Sequence, residues 1–446
     1  MDPIKSRKRL PLVAMLIETF GFSPALASAV ALFLAFVCLL AVVWVVRSAP
    51  PHKLVMTSGP EGSSFQRWAG AYQKALAKHG VTLEIRPSSG SLDNLRRLRS
   101  AAEGIDIGFV AGGISKDENV DGLVSLGSVA YQPIWVFYHS PAPTINRLSQ
   151  LAGQRIAIGA PGSGTRSLAL ALLQANGITG APTIFFDSDS GAAAAALIQG
   201  KLDAVFLMGD SAALQTLRDL EHAPDVQLFN FTQADAYVRR NAYLNKITLP
   251  TGSLDLAKNL PAQDIFLVGP TVEFVAREGL HSALSDLLLD VAREVHGKAN
   301  LLQKRGEFPA PLEHEFTLSD DAQTYYKSGR SWLYRSIGSF WVASLLNRIL
   351  VAVVPLALVI IPAIRLLPSA YRFNIQLKFY RCYRPLQRLE RESFGSLTAA
   401  RVQELLLELD EIETAVSRLK VPASFAERFY SLRSYVHFVR ERLKAM

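Results

Sequence analysis

Residues 25–46 form a run of 22 amino acids without a charge. As a helix this run would rise about 33 Å, enough to cross the ~30 Å hydrocarbon core of a bilayer. Lys5, Arg7, Lys8 and Arg9 precede it, and that bias holds the N-terminus in the cytoplasm. The run is longer than the apolar region of a secretion signal, and no small-x-small cleavage site follows, so it reads as an uncleaved anchor. A second apolar stretch covers 340–367. Its charge-free core, Ile349 to Ile364, is 16 residues, or about 24 Å of helix. It reaches across a bilayer if Arg348 snorkels outward and Phe340-Trp341-Val342 joins it. Pro355 and Pro362 are expected to kink it, and a buried core helix is the alternative reading. Against that alternative, Arg365, Arg372, Lys378, Arg381 and Arg384 interleave with Tyr371, Phe373, Phe379, Tyr380 and Tyr383, the composition of a cytoplasmic membrane interface at 368–395. Both termini then lie inside a bacterial inner membrane, and residues 53–335 project into the periplasm or the cell exterior.

The charge distribution agrees. Of the net +8, residues 365–446 contribute +6 and residues 1–24 contribute +2, leaving the middle of the chain balanced at 28 basic and 28 acidic residues. A nucleic-acid surface would concentrate basic charge on the folded domain, so nucleic acid is excluded as a partner and the lipid bilayer is implied. The two cysteines, Cys38 and Cys382, both lie outside the middle of the chain. That region therefore has no disulfide, thiolate chemistry or cysteine metal site. The chain also lacks a Gly-x-Ser-x-Gly elbow, a His-Glu-x-x-His helix and a Cys-x-x-Cys pair. His79, His139, His222, His281, His296 and His314 are scattered without ligand spacing and read as solvated or interface residues. Neither an enzyme nor a cofactor is expected.

From Lys53 onward short apolar strands alternate with amphipathic helices, the pattern of an α/β domain with parallel sheets. Divisions near Tyr131–Ser140 and Tyr243–Thr251 give two lobes, about 53–133 with 246–335, and about 134–245, with a cleft between them. Three glycine- and serine-rich strand-to-helix turns, at 58–64, 88–91 and 159–165, belong at the carboxyl ends of strands, where open α/β sheets bind ligands. The third is the richest: Arg155-Ile156-Ala157-Ile158 reads as a strand and Ser163 as the start of a helix. Gly159, Gly162 and Gly164 let the backbone approach something small, and the N–H groups at the helix start suit an anion. Gly159 and Gly164 have phosphate-loop spacing, but Thr165-Arg166 stands where the phosphate-binding Lys and its Ser/Thr should be, so a carboxylate fits better than a nucleotide. An ordinary tight turn is the alternative. Asp187 and Asp189 flank a strand end, positioned either to meet a ligand amine or to cap a helix.

These residues resemble the solute-binding subunits of TRAP transporters of the TAXI type, in their membrane-tethered form. The likeness is carried by Gly59-Pro60-Glu61-Gly62-Ser63-Ser64-Phe65, by Ser88-Ser89-Gly90-Ser91-Leu92-Asp93-Asn94-Leu95 with Asp106-Ile107-Gly108-Phe109, and by Gly159-Ala160-Pro161-Gly162-Ser163-Gly164-Thr165. Gly306-Glu307-Phe308-Pro309 leading into Leu345-Leu346-Asn347-Arg348-Ile349-Leu350 is similar to the connector and second anchor. The resemblance covers roughly 53–385. It implies a two-lobed periplasmic-binding-protein fold that closes on a small carboxylate, such as glutamate or a dicarboxylate, and delivers it to a TRAP-type permease. Carried onto this chain, the ligand residues are Ser63, Ser64 and Phe65 of the first turn, Ser89, Gly90 and Asn94 of the second, and Ser163, Gly164 and Thr165 of the third. Tyr131, Arg166 and Asp187 complete the candidate set. Many relatives carry tyrosines in the first turn, where this chain has Ser64-Phe65.

Residues 396–446 form a separate module. Val402, Leu405, Leu409, Ile412, Val416 and Leu419 step by three and four, Pro422 breaks the chain, and Phe425, Phe429, Leu432, Val436, Val439 and Leu443 repeat the stepping. The expectation is a cytoplasmic helical hairpin, with a coiled-coil dimer as the alternative. Its presence motivates a rival reading, a ligand-sensing receptor that signals inward.

Overall fold

The computed structural model describes residues 11–20, 22–115, 118, 120–139, 144–312, 315–330, 332–395, 398–419, 421 and 425–445. Lys5, Arg7, Lys8, Arg9, Ser140, His314, Ser396 and Pro422 lie outside the described residues. The chain packs as two units, Pro50–Ser344 and a second formed by Met1–Ala49 with Leu345–Met446.

The second unit opens with α1 (Pro11–Phe20) and α2 (Pro24–Arg47). Ser23 caps α2 by accepting from the Leu26 amide at 3.3 Å, and Pro24 sits at its first position, where a missing N–H costs nothing.

The larger unit begins with β1 (Lys53–Thr57), α3 (Ser64–Ala77), β2 (Thr82–Arg86), α4 (Ser91–Arg99), β3 (Ile107–Ala111) and β4 (Leu123–Tyr131). The chain then crosses into β5 (Ile134–His139), β6 (Arg155–Ala157), α5 (Gly164–Ala175), β7 (Ile184–Phe186), α6 (Ser190–Ile198), β8 (Ala204–Met208), α7 (Leu214–Glu221), β9 (Val226–Leu228), α8 (Ala234–Arg240) and β10 (Leu244–Leu249). It returns along β11 (Ile265–Arg277) to α9 (Ser282–His296), α10 (Asp320–Ser328) and α11 (Trp332–Ser336). The remaining helices are α12 (Phe340–Glu392), α13 (Ala399–Ser417) and α14 (Ala426–Lys444).

The first lobe has the order β2-β1-β3-β11, with β4 also on β11; the second has β5-β8-β6-β7, with β9 on β5 and β10 on β11. Parallel pairing joins β1 to β2 and β3 in one lobe and β6 to β7 and β8 in the other. The remaining pairs are antiparallel, so each lobe is a mixed sheet rather than the parallel sheet expected. The reason is β11. Its first half pairs with β10 and its second half with β3 and β4, so one long strand belongs to both lobes and must run against each. The return crossing falls at Gly269-Pro270, later than the 246 expected, because the β10–β11 pair completes the second lobe first. The other crossing, Gln132-Pro133, lies alongside, with the Gln132 amide donating to Pro270 O at 2.9 Å.

The α3 helix illustrates how sequence dictates this packing. Phe65, Ala69, Tyr72 and Leu76 recur at helical spacing and are fully buried, whereas Arg67, Gln73 and Lys74 face outward. Among the described residues the expectation of solvated or interface histidines fails at His296, which is buried in the core against Trp68, Tyr72 and Phe109.

In the smaller unit, α2 and residues 340–363 of α12 are each long and apolar enough to cross a membrane. The α12 helix continues through Pro355 and Pro362. Arg348 donates to Val45 O at 2.6 Å. Beyond the apolar stretch, Phe379, Leu386 and Leu389 of α12 share a core with Leu405, Leu409 and Val416 of α13 and with Leu432, Val436, Val439 and Leu443 of α14. The seams read in the sequence thus gain a third partner in the end of α12.

Candidate functional site

The three turns converge. Ser63 caps α3, its Oγ accepting from the Gln66 amide at 3.2 Å, and Ser163 caps α5 in the same way through the Arg166 amide at 3.2 Å. The α4 helix has Gly90 at its cap position and no side-chain cap. Each helix therefore presents its first amide to whatever lies opposite.

What lies opposite is the turn after β8. The Ser64 amide and hydroxyl both donate to Gly209 O, at 2.8 and 2.5 Å. Asp210 Oδ2 accepts from the Ser91 amide of α4 at 3.2 Å and from the Gly164 amide of α5 at 2.6 Å. Asp210 Oδ1 accepts from Thr165 Oγ1 at 3.2 Å and Ser211 Oγ at 2.9 Å. The carboxylate is completely buried and joins the two lobes, since Ser91 belongs to one and Gly164 to the other. Burial pushes the Asp210 carboxyl above its ordinary range, and its four hydrogen bonds offset only part of that rise. With its amide turned to hydrogen-bond, Gln132 accepts from the Gly209 and Asp210 amides at 2.5 and 3.1 Å. A further cross-lobe bond runs from the Asp93 amide to Gly162 O at 3.0 Å.

The glycines make this possible. A Cβ on Gly90 would stand 2.7 Å from Asp210 Oδ2, and one on Gly164 would stand 2.8 Å from the same atom. The small group that these turns admit is the chain's own side chain.

Beside Asp210 is a cavity of about 470 Å³, lined by both lobes: Pro60, Glu61, Ser88 and Ser89 on one side, Gly159, Ala160, Thr165, Ser188, Asp189, Ser190 and Ser211 on the other, with Ala193, Phe206 and Leu207 behind. The hydroxyls supply donors and acceptors. The charged lining residues are Glu61 and Asp189, and no basic side chain lines the cavity among the described residues. Asp189 also caps α6, accepting from the Ala192 amide at 2.9 Å.

Of the candidates read in the sequence, Ser89 and Thr165 line the cavity. Ser63, Ser64, Ser163, Gly90 and Gly164 stand just behind it as caps and cross-lobe contacts. Phe65 does not reach the cavity: its position on α3 turns the ring into the core against Trp68 and Phe109. Asn94 is fully buried, donating to Ser58 O and Phe109 O at 2.7 and 2.9 Å and accepting from Thr57 Oγ1, so it ties α4 to two strands. Tyr131 donates to Glu307 Oε1 at 2.9 Å and packs on Phe308, away from the cavity. Burial and that carboxylate push its phenol up to about 12. Arg166 pairs with Asp187 at the surface. Asp210, Ser211, Ser188 and Ser190 were not among the expected residues. The strand-end rule that located the other turns applies equally to Gly209-Asp210-Ser211 after β8.

Two α/β lobes joined by two strand crossings, with a cleft at the strand ends, define a fold of the periplasmic-binding-protein class. Residues 65–280 match the NMT1-like family. A comparison with curated proteins gives no match. Among solved structures, an ancestral arginine-binding protein bound to arginine is 18% identical, with 55% of this chain and 92% of that chain covered at a TM-score of 0.35. The periplasmic aliphatic sulphonate binding protein SsuA of Escherichia coli is 15% identical over 55% of this chain and 69% of that one, TM-score 0.36. The alkanesulfonate-binding protein SsuA of Xanthomonas axonopodis pv. citri, bound to MOPS, is 14% identical over 55% and 74%, TM-score 0.37.

Proposed function

We propose that this chain is a membrane-tethered solute-binding protein, which captures a small polar solute between its lobes and passes it to a membrane permease of the TRAP type. The observation that carries the reading is the cavity formed jointly by the turns before α3 and α4, the turn after β6 with the start of α5, the start of α6 and the end of β8, lined by serine and threonine residues. Such a site binds without covalent chemistry; the solute shifts the lobes toward closure by touching both. The apolar stretches of α2 and α12 anchor the domain at a bacterial inner membrane, with both chain ends in the cytoplasm. The TAXI resemblance points to a carboxylate such as glutamate or a dicarboxylate. The helix starts on which that expectation rests already hold Asp210.

The test is thermal melting and isothermal titration of the full-length protein in detergent against amino acids, dicarboxylates, amines and polyols. At least one solute is expected to raise the melting temperature and bind saturably. Replacing Ser188 and Ser190 with alanine is expected to weaken that solute about tenfold, roughly 1.4 kcal/mol, without lowering the melting temperature of the empty protein. A panel in which nothing binds would overturn the reading. A second reading, a sensor with an inward output, is favoured by one observation: α13, α14 and the end of α12 possess a core of their own. Solute uptake that survives deletion of 398–446 counts against it.

A further inference from the structure

We infer that Asp210 is the specificity-determining residue of the cleft: its carboxylate holds the place of a solute carboxylate, so the cavity refuses carboxylate anions and takes a neutral or cationic hydrogen-bond donor. The inference rests on the solute-binding reading and names its ligand class.

An ionised carboxylate accepts about four hydrogen bonds. Asp210 receives four, two from helix-start amides and two from hydroxyls. Those donors are what a helix start offers an anion, and here both helices already have their negative partner. The side chain has no solvent exposure, and the two glycines opposite leave no space beyond it. A second carboxylate would have to displace Asp210 into the core or sit next to it. In the second case it meets Glu61 and Asp189 with no basic side chain among the described lining residues, and like charges at contact distance repel. A solute ammonium or hydroxyl meets the opposite circumstances: carboxylates at the rim, and serine oxygens from Ser88, Ser89, Ser188 and Ser190 around it. Because Asp210 joins Ser91 of one lobe to Gly164 of the other, it also supplies the lobe-to-lobe anion bridge that the solute would otherwise supply.

Removing the carboxylate should recreate the site that it fills. In the full-length protein in detergent, Asp210→Ala is expected to melt several degrees lower than the wild type. Sodium formate, whose single carboxylate fits the vacated volume, should recover at least half of that loss, and sodium chloride at equal ionic strength should not. The wild type should show no melting shift with formate, glutamate or succinate and a positive shift with at least one of putrescine, choline or glycerol. Asp210→Ala should bind glutamate or succinate at least about tenfold more tightly than the wild type, about 1.4 kcal/mol. If Asp210→Ala can be isolated only in formate buffer, that is the same rescue. Should it fail even there, Asp210→Asn keeps the volume but turns an NH2 toward amide donors; a lowered melting temperature supports the bridge, and a wild-type one overturns it. Wild-type binding of glutamate or succinate as tight as that of the variant also overturns it, as does an Asp210→Ala protein of unchanged stability and no formate response. The formate arm needs no solute, so it reports on Asp210 even if solute capture fails.

Discussion

At Gly164 a methyl group would stand 2.8 Å from Asp210 Oδ2 and 2.8 Å from Met208 Cε, both belonging to buried residues. Gly164 has no left-handed backbone requirement, so a substitution here reports on space rather than on φ. Gly164→Ala is expected to destabilise by about 1–3 kcal/mol, the usual cost of forcing extra volume into a packed site. Gly70, within α3, has nothing within 4 Å of its added Cβ, and Gly70→Ala should stabilise by about 0.5–1 kcal/mol through helix propensity. Urea or thermal unfolding of the two variants side by side checks this; losses of equal size at both positions would refute the close-approach argument. Close approach was one of two readings that the glycine clusters allowed in the sequence, an ordinary tight turn being the other. The group approached was not legible there. A single buried aspartate between a strand and a helix has no periodicity, and its partners Ser91 and Gly164 are 119 and 46 residues away.

The α9 helix carries a pH dependence that its amphipathic pattern conceals. His296, near its end, is surrounded by the rings of Trp68, Tyr72 and Phe109 at 4.9–6.1 Å between centroids, and burial pushes its imidazole down to about 3. The folded protein therefore holds this ring neutral where the unfolded chain protonates it. For a base with a depressed folded pKa the unfolded state binds more protons, so stability rises with pH. His296 contributes fully above about 6.5, and that contribution is lost as pH falls from there toward about 3. Asp286, also on α9, works in the opposite sense: burial, with Asp321 and Asp290 nearby, pushes its carboxyl up to about 6, so its contribution fades as pH rises between about 4 and 6. Comparing the wild type with His296→Leu isolates the imidazole. The melting temperature of the wild type is expected to fall more steeply than that of His296→Leu between pH 7 and 4.5, and parallel curves would show that the ring is solvated before unfolding. The helix itself was readable from its spacing, whereas the burial of its histidine was not, because Trp68, Tyr72 and Phe109 come from elements more than 180 residues earlier.

At the scale of the whole molecule, the apolar cores divide cleanly. Every buried residue of the three large clusters lies between Leu54 and Ala343, and the remaining two clusters draw on residues 13–27 and 375–443. The division at the apolar segments was legible because a 22-residue uncharged run has few other uses. The lobe boundary was less so: β10 looks like any strand after a division, and only its pairing with the first half of β11 assigns it to the second lobe. Since the three large clusters lie within Pro50–Ser344, residues 50–344 should fold without the rest. A 50–344 fragment is expected to melt in one cooperative transition within a few degrees of the ectodomain transition of the full chain, and to bind whichever solute the full chain binds with unchanged affinity. The comparison also separates the two functional readings. A delivery protein needs its cleft to work whether or not the tail is present, so equal affinities fit transport. A sensor must couple the solute to the tail, and coupling is reciprocal: if solute binding changes the state of α13 and α14, removing them must change the affinity for the solute. A fragment that folds normally but binds with an affinity shifted by more than about fivefold, near 1 kcal/mol, would therefore favour inward signalling over delivery.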